Sequence, residues 1–177
     1  MAILKVAQLG HPVLRRVARD LTSEEICSLE VQSLVNDMRD TMVEYGGVGL
    51  AAPQVHHSVR IAVLDIAPDN PRYEIKGSAV SQVLFNARVT VLDETPYGFW
   101  EGCLSVHGVR GYVERPRRVR VEYLDVQAQP QSIEAEDFLA VVLQHELDHL
   151  DGVLYVDKLA DPTKFAFLEE YTRYHVE

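Results

Sequence analysis

The stretch EDFLAVVLQHELDHL, residues 136–150, predicts the helix around which the other elements of the chain can be arranged. Phe138, Val142, His145 and His149 follow one another at steps of four, three and four residues. This spacing places all four side chains on one face of a helix. The stretch therefore predicts a helix that turns two histidines toward the protein interior, beside apolar side chains.

The same helix carries the spacing H-E-x-x-H at His145, Glu146 and His149. Residues four apart on a helix differ by about 40° around its axis, so both imidazoles leave one face and can share a divalent ion. Glu146 points about 100° away from His145, where a carboxylate can act as general base on a nearby water. The alternative is a pair of histidines satisfied by hydrogen bonds alone. Burying two unpartnered imidazoles would be costly, which favours the metal site.

Three further segments predict β-strands. Apolar and polar residues alternate, or β-branched residues dominate, over 59–66, 87–92 and 119–124. A polar loop rich in proline and glycine is predicted between Ile66 and Val80.

Two more helices are predicted on either side of these strands. The first begins at Thr22, whose spacing to Glu25 fits a capping box, and ends at the Gly46-Gly47 pair. The last begins at Asp161-Pro162, an Asp cap followed by proline. The order predicts an α+β fold with largely antiparallel sheets packed around a central metal-binding helix, with an N-terminal and a C-terminal helix.

Length and composition exclude several classes of protein. The 177 residues fit one domain, 1–177, and the net charge of −10 argues against a nucleic-acid surface. The basic run at 115–120 is interpreted as a solvated strand edge. Without a membrane span or a secretory signal, a cytoplasmic protein without disulfides is expected, in which Cys27 is a small core residue.

A catalytic site of this kind needs a third protein ligand. A known pattern would place a histidine six residues after His149, but that residue is Tyr155. Another would use a glutamate on a later helix, for which Glu169 or Glu170 has suitable spacing. Cys103, within EGCLS at residues 101–105, offers a thiolate that zinc and ferrous iron bind strongly. The residues alone leave these candidates open.

Three stretches of the sequence resemble the motifs of the peptide deformylase family, and the similarity runs from about Leu4 to the last helix. The stretches are GVGLAAPQ (47–54), EGCLS (101–105) and QHELDHL (144–150). The resemblance implies Cys103, His145 and His149 as ligands. It also implies Fe²⁺ as the native ion, with Zn²⁺, Ni²⁺ or Co²⁺ able to substitute.

The implied reaction is hydrolysis of the N-formyl group of N-formylmethionyl peptides, which releases formate. Glu146 is expected to act as general base, while the Gln54 side chain and the Leu104 backbone N–H stabilise the oxyanion. Crowding by Gly49, Leu50 and Cys103 is expected to exclude acetyl groups.

The expected substrate-binding residues line a methionine pocket or contact the peptide backbone; they are Val48, Gly49, Phe99, Gly102, Arg110, Phe138 and Val142. By the same resemblance, Glu101 is expected to pair with Arg115 and to brace the loop that presents Cys103. His107 stands where the family usually has proline, so it could loosen this loop, add a titrating group or have no effect.

Two other functions are weighed. One is an H-E-x-x-H metallopeptidase with Glu169 as third ligand. The other is a non-catalytic metal- or peptide-binding protein, which the presence of Glu146 and Gln54 disfavours. The expected partners are the formylmethionyl peptide and, in a transient association, the ribosome. Neither nucleic acid nor membrane is expected as a partner.

Overall fold

A computed structural model of the protein describes residues 2–66 and 80–176. Within these ranges six strands form one sheet, in which β1 to β5 follow chain order and each neighbour is antiparallel. They are β1 (Gly49–Ala51), β2 (Ile61–Ile66), β3 (Val80–Cys103), β4 (Val106–Leu124), β5 (Pro130–Glu136) and β6 (Phe165–Phe167), the last of which pairs with β4. The helices are α1 (Ser23–Ile26), α2 (Leu29–Glu44), α3 (Asp137–Leu150) and α4 (Leu168–Tyr174). The predicted α+β class with antiparallel pairing is confirmed, although the described strands form a single sheet.

Strand β2 is buried on both faces, because a helix covers each one. Ile61 and Val63 pack in one apolar cluster with α2, whereas Ala62, Leu64 and Ile66 pack in another with α3. Successive side chains of a strand point to opposite faces, so this alternation follows from the backbone. The sheet is thereby held between α2 and α3.

Strands β3 and β4 form a long hairpin, and Cys103 lies at its tip. Cys103 pairs with Val106, which leaves Leu104 and Ser105 as a two-residue turn. The predicted strand 87–92 lies within β3, and the predicted strand 119–124 is the C-terminal end of β4. The prediction of a loop at Cys103 was wrong, because the residue closes β3 instead.

The N-terminal helix is interrupted, contrary to the single helix predicted. The capping box between Thr22 and Glu25 is present, but it starts only α1. Ser28 then accepts a hydrogen bond from the Val31 N–H and caps a second helix. A serine side chain that bonds to the backbone competes with a continuous helix. As a result Cys27 is exposed at the break, and the prediction of a core role was wrong.

The C-terminal helix begins later than predicted. Asp161 caps only a 3₁₀ turn, and the next residues form β6 beside β4. Pairing with an existing sheet edge has overridden the local signal for a helix start. The predicted polar loop between Ile66 and Val80 lies outside the described residues. No helix within the described ranges is long and apolar enough to cross a membrane.

Candidate metal centre and active site

Three side chains from two elements meet at one point. His145 and His149 project from α3, and Cys103 closes β3. Their ligand atoms all lie within 4.8 Å of one another, and the Cys103 Sγ is 3.3 Å from the His149 Nε2. A thiolate with two imidazole nitrogens is a donor set for zinc or ferrous iron, so these residues fit a divalent ion.

Two donors, one from the hairpin turn and one from the 3₁₀ turn after β1, hold the Cys103 sulfur in place. The Ser105 backbone N–H donates to Sγ at 3.4 Å, and the Gln54 Nε2 donates to the same sulfur at 3.4 Å. Gln54 also donates to the Ser105 Oγ at 3.2 Å and accepts from the Ala51 N–H. Because Gln54 is 1% exposed, its amide is fixed beside the cysteine.

A buried ion pair orients His145. The Glu101 Oε2 lies 2.7 Å from the His145 Nδ1, while the Arg115 Nε donates to the Glu101 Oε1 at 2.5 Å. Arg115 also donates to the Asp148 Oδ2 at 2.7 Å. A carboxylate on one ring nitrogen leaves the other free for the metal. Burial alone raises the pKa of Glu101, but hydrogen bonds from His145 and Arg115 outweigh it and lower the pKa to about 2.

Glu146 lies buried beside the three ligands with one oxygen unpaired. It is 5% exposed, and burial raises its pKa to about 7. Among the described residues no group hydrogen-bonds to its Oε2. Gly49 allows this position, because a Cβ on Gly49 would lie 2.5 Å from the Glu146 Oε1. An unpaired buried carboxylate with a pKa near neutrality can exchange a proton with a bound substrate.

Two cavities open on this site. The smaller, of about 50 Å³, is mainly apolar and is bounded by His145 and Glu146 at one end. Its apolar lining residues are Val48, Phe99, Phe138, Val141 and Val142. The larger, of about 190 Å³, contains the other polar groups of the site and opens toward the surface. Its lining includes Tyr45, Val48, Gly49, Gln54, Gly102, Cys103, Leu104, His107, Arg110, Glu146 and Leu168.

The pattern of the polypeptide deformylase family matches residues 3–165. This chain belongs to that family. Peptide deformylase of Leptospira biflexa is 41% identical over 170 residues, which cover 96% of this chain and 95% of the relative. That of Fusobacterium nucleatum is 40% identical over 162 residues, covering 92% and 87%. A class I type b peptide deformylase from Acinetobacter baumannii, bound to Met-Ala-Ser, superposes with a TM-score of 0.83 at 35% identity, covering 89% of this chain and 98% of that one.

The known reaction of the deformylase family is the removal of the formyl group from N-formylmethionyl peptides. The structure brings the residues expected from the family's motifs to one place. Glu169 and Glu170, the alternative ligands, are exposed on α4 and lie outside the cluster found among the described residues. The family assignment and this geometry favour a deformylase over a metallopeptidase with a glutamate ligand.

Two expectations about the deformylase cleft need adjustment. Leu50 was expected to crowd the formyl group, but its side chain is buried in the α2 cluster and lines neither cavity. The basic run 115–120 was interpreted as a solvated strand edge, yet β4 lies between β3 and β5 and Arg115 is 2% exposed. Arg117, Arg118 and Arg120 pair with surface carboxylates. Strand alternation turns Arg115 inward at this position.

Sequence reasoning missed several deformylase contacts. It predicted the ion pair between Glu101 and Arg115 but not the hydrogen bond between the Glu101 carboxylate and the His145 ring. It also missed Ser105, and it noted Tyr155 only as a failed ligand, although the Tyr155 ring stacks on the His145 ring at 5.9 Å. The position of Ser105 two residues after Cys103 was the only available signal for these contacts in the sequence. The other contacts depend on how the hairpin folds back over α3.

Proposed function

We propose that this chain hydrolyses the formyl group of N-formylmethionyl peptides, as its family does, with the residue roles described below. The observation that carries these roles is the unpaired Oε2 of Glu146, buried beside Cys103, His145 and His149. A protein that only binds a metal or a peptide needs no such base, which disfavours the non-catalytic alternative.

We infer that Cys103, His145 and His149 hold the metal and that Fe²⁺ is the native ion, with Zn²⁺, Ni²⁺ or Co²⁺ as substitutes. The thiolate among the ligands supports a metal of this group over magnesium or calcium. When bound, the ion supplies a nucleophile near neutral pH by lowering the pKa of a coordinated water. The Glu101 carboxylate on the His145 Nδ1 supports a fixed Nε2 for this purpose.

The remaining chemistry is assigned to the protein's own groups. The Glu146 carboxylate accepts the proton of the attacking water and later returns it to the leaving nitrogen. Burial raises the pKa of this carboxyl group, which supports both the uptake and the return of a proton. The Gln54 Nε2 and the Leu104 backbone N–H donate to the developing oxyanion. Burial of Gln54 supports this role, because it fixes the amide beside Cys103, where one of its two N–H groups can exchange its present partner, the Cys103 Sγ or the Ser105 Oγ, for the oxyanion.

We assign the smaller cavity to the methionine side chain of the substrate. Phe99 and Phe138 form one wall, with ring centroids 5.2 Å apart, and Val48 and Val142 complete the apolar lining. The contact between Gly49 and Glu146 leaves little room at the reacting carbon, which supports a preference for formyl over acetyl. Comparable turnover of formyl- and acetyl-methionyl peptides would contradict this assignment.

Gly102 and Arg110 are assigned to the peptide backbone. The Arg110 guanidinium occupies the space beside Gly102, where a Cβ would lie 1.9 Å from its Nη1. Within residues 2–66 and 80–176 no carboxylate forms an ion pair with Arg110. A cation in the cleft with this freedom can donate to substrate carbonyl groups.

The wider biological setting is also proposed. We infer a single catalytic domain over 1–177 with α3 as its central element, acting in the cytoplasm on newly made chains. This substrate implies brief contact with the ribosome. Crystallisation of the Acinetobacter baumannii relative with Met-Ala-Ser supports a peptide ligand of this kind.

The decisive experiment measures formate release from formyl-Met-Ala-Ser by anaerobically purified enzyme, with its metal content determined in parallel. We expect formate without cleavage of internal peptide bonds. Cys103→Ala should lose metal, whereas Glu169→Ala should retain both metal and turnover. If Cys103→Ala stays loaded while Glu169→Ala is empty, the glutamate ligand and the peptidase function would replace this proposal.

A further inference from the structure

The C-terminal segment reaches the substrate cleft. Leu168, the first residue of α4, lines the larger cavity together with Gln54, Cys103 and Glu146. The family pattern matches only as far as residue 165, so Leu168 lies beyond the part of the chain that the pattern describes. This wall of the cleft comes from a segment that carries none of the three catalytic motifs.

Strand β6 fixes the position of Leu168. Phe165 pairs with Gly111 and Phe167 pairs with Val109, so Arg110, which faces the cleft, lies opposite the middle of β6. Gly111 makes room for this strand, because a Cβ there would lie 3.2 Å from the Phe165 ring and 2.7 Å from Leu159. Backbone pairing and a close side-chain contact both hold the segment against β4.

Aromatic contacts anchor α4 on the other side of Leu168. The Trp100 ring lies 5.2 Å from the Tyr171 ring and 4.8 Å from the His175 ring, measured between centroids. The Lys164 ammonium lies 4.4 Å from the centroid of Tyr112. Leu168 thus lies between two attached segments: β6, which pairs with β4, and α4, which packs on Trp100. Its position is therefore well defined.

Leu168 shares the larger cavity with a second side chain that has a large apolar surface. Tyr45, from the end of α2, lines the same cavity, and both residues are exposed, Tyr45 to 45% and Leu168 to 39%. They lie outside the methionine cavity, whose lining includes neither. A peptide with its methionine in the smaller cavity and its formyl group at the metal has to extend along the larger one.

We propose that Leu168 is a specificity residue that, with Tyr45, binds an apolar side chain of the substrate at the second or third position, after the methionine. This inference rests on the proposed deformylation and adds a preference among its substrates. Burying an apolar side chain against two half-exposed neighbours contributes less than a closed pocket would. We therefore expect a preference of about three- to tenfold in kcat/KM.

The test compares formyl-Met-Ala-Ser with formyl-Met-Leu-Ser and formyl-Met-Ala-Leu. The wild-type enzyme should favour at least one leucine peptide by this factor, mainly through KM, because Leu168 lies away from the reacting atoms. Leu168→Ala should bring the ratio close to one, and Leu168→Met should restore it. Metal content and thermal melting of each variant are measured to exclude an altered fold.

Phe167→Ala is the matched control. Phe167 is the neighbouring residue, is 72% exposed and does not line the cleft, so its variant should keep the leucine preference. An unchanged ratio in Leu168→Ala, or an equal loss in Phe167→Ala, overturns the inference while deformylation stands. Absence of formate release from all three peptides in metal-loaded wild-type enzyme overturns the proposed function and the inference together.

Discussion

At the scale of single residues, the proposed general base depends on a neighbour that has no side chain. Glu146 is buried with one oxygen unpaired, and its other oxygen lies against the backbone at Gly49. The base is therefore positioned by packing, without a hydrogen bond to its Oε2. Two substitutions test these points separately. Glu146→Ala removes the carboxylate, and Gly49→Ala shifts it.

Replacing Glu146 by alanine should abolish turnover without removing the metal. General-base catalysis contributes about a hundred- to ten-thousand-fold, and the three ligands are unchanged. Formate release and metal content are measured on the same sample. Near-normal turnover in a metal-replete Glu146→Ala enzyme would refute the role of the carboxylate.

Gly49→Ala should lower kcat by about a hundred-fold, since the added Cβ displaces Glu146, and misplacement by about 1 Å can cost this much. The double variant with Glu146→Ala supplies the control. If the alanine acts only through Glu146, the double variant is no slower than Glu146→Ala alone. A further loss would show that Gly49 has a separate role.

Sequence alone predicted the site residues on α3 but not the contacts that depend on strand pairing. The H-E-x-x-H spacing fixes where Glu146 and both histidines lie, because helix geometry is local. The third ligand could not be chosen by spacing, since Cys103 reaches the site through strand pairing 46 residues away from His149. Contacts that depend on such pairing, including that of Glu101 with His145, have no local signature.

At the scale of elements, one guanidinium connects β3, β4 and α3. Arg115 on β4 binds Glu101 on β3 and Asp148 on α3, and its side chain is 1% exposed. Strand and helix predictions each succeeded where hydrophobic periodicity was strong, as in α3. They failed at the C-terminus, where pairing of β6 with β4 replaced the helix that the Asp161 cap favoured.

Arg115→Ala should destabilise the fold by about 3–5 kcal/mol, because Glu101 is left buried without its guanidinium partner and keeps only its bond to the His145 Nδ1. It should also weaken metal binding through His145. Urea unfolding and metal titration measure the two effects. Arg118→Ala is the control on the same strand: its partner Glu134 is exposed, so little change is expected. Unchanged stability of Arg115→Ala would show that Glu101 finds another partner.

At the scale of the whole molecule, the metal site joins parts that are distant in the chain. Cys103 belongs to the hairpin, whereas both histidines belong to the helix that packs against the sheet. An ion bound at this junction stabilises the native state only, because the unfolded chain cannot bring these ligands together.

Removal of the metal by a chelator should therefore lower Tm by about 5–10 °C, for a ligand present at about a hundred times its Kd. Cys103→Ala should melt at the same temperature with or without chelator. Cys27→Ala, which changes the exposed cysteine, should keep the wild-type difference. A chelator effect that persists in Cys103→Ala would place the stabilising ion elsewhere.

The close approach of β1 to Glu146 also limits how this enzyme could be redesigned. To accept a bulkier acyl donor, an engineer would normally trim the side chain that blocks it. At Gly49 there is nothing left to trim, since the obstruction is main chain. New room would have to come from shifting the strand itself, and the carboxylate that rests on it would move too. Broadening the acyl range and keeping the base aligned are thus competing aims in this scaffold.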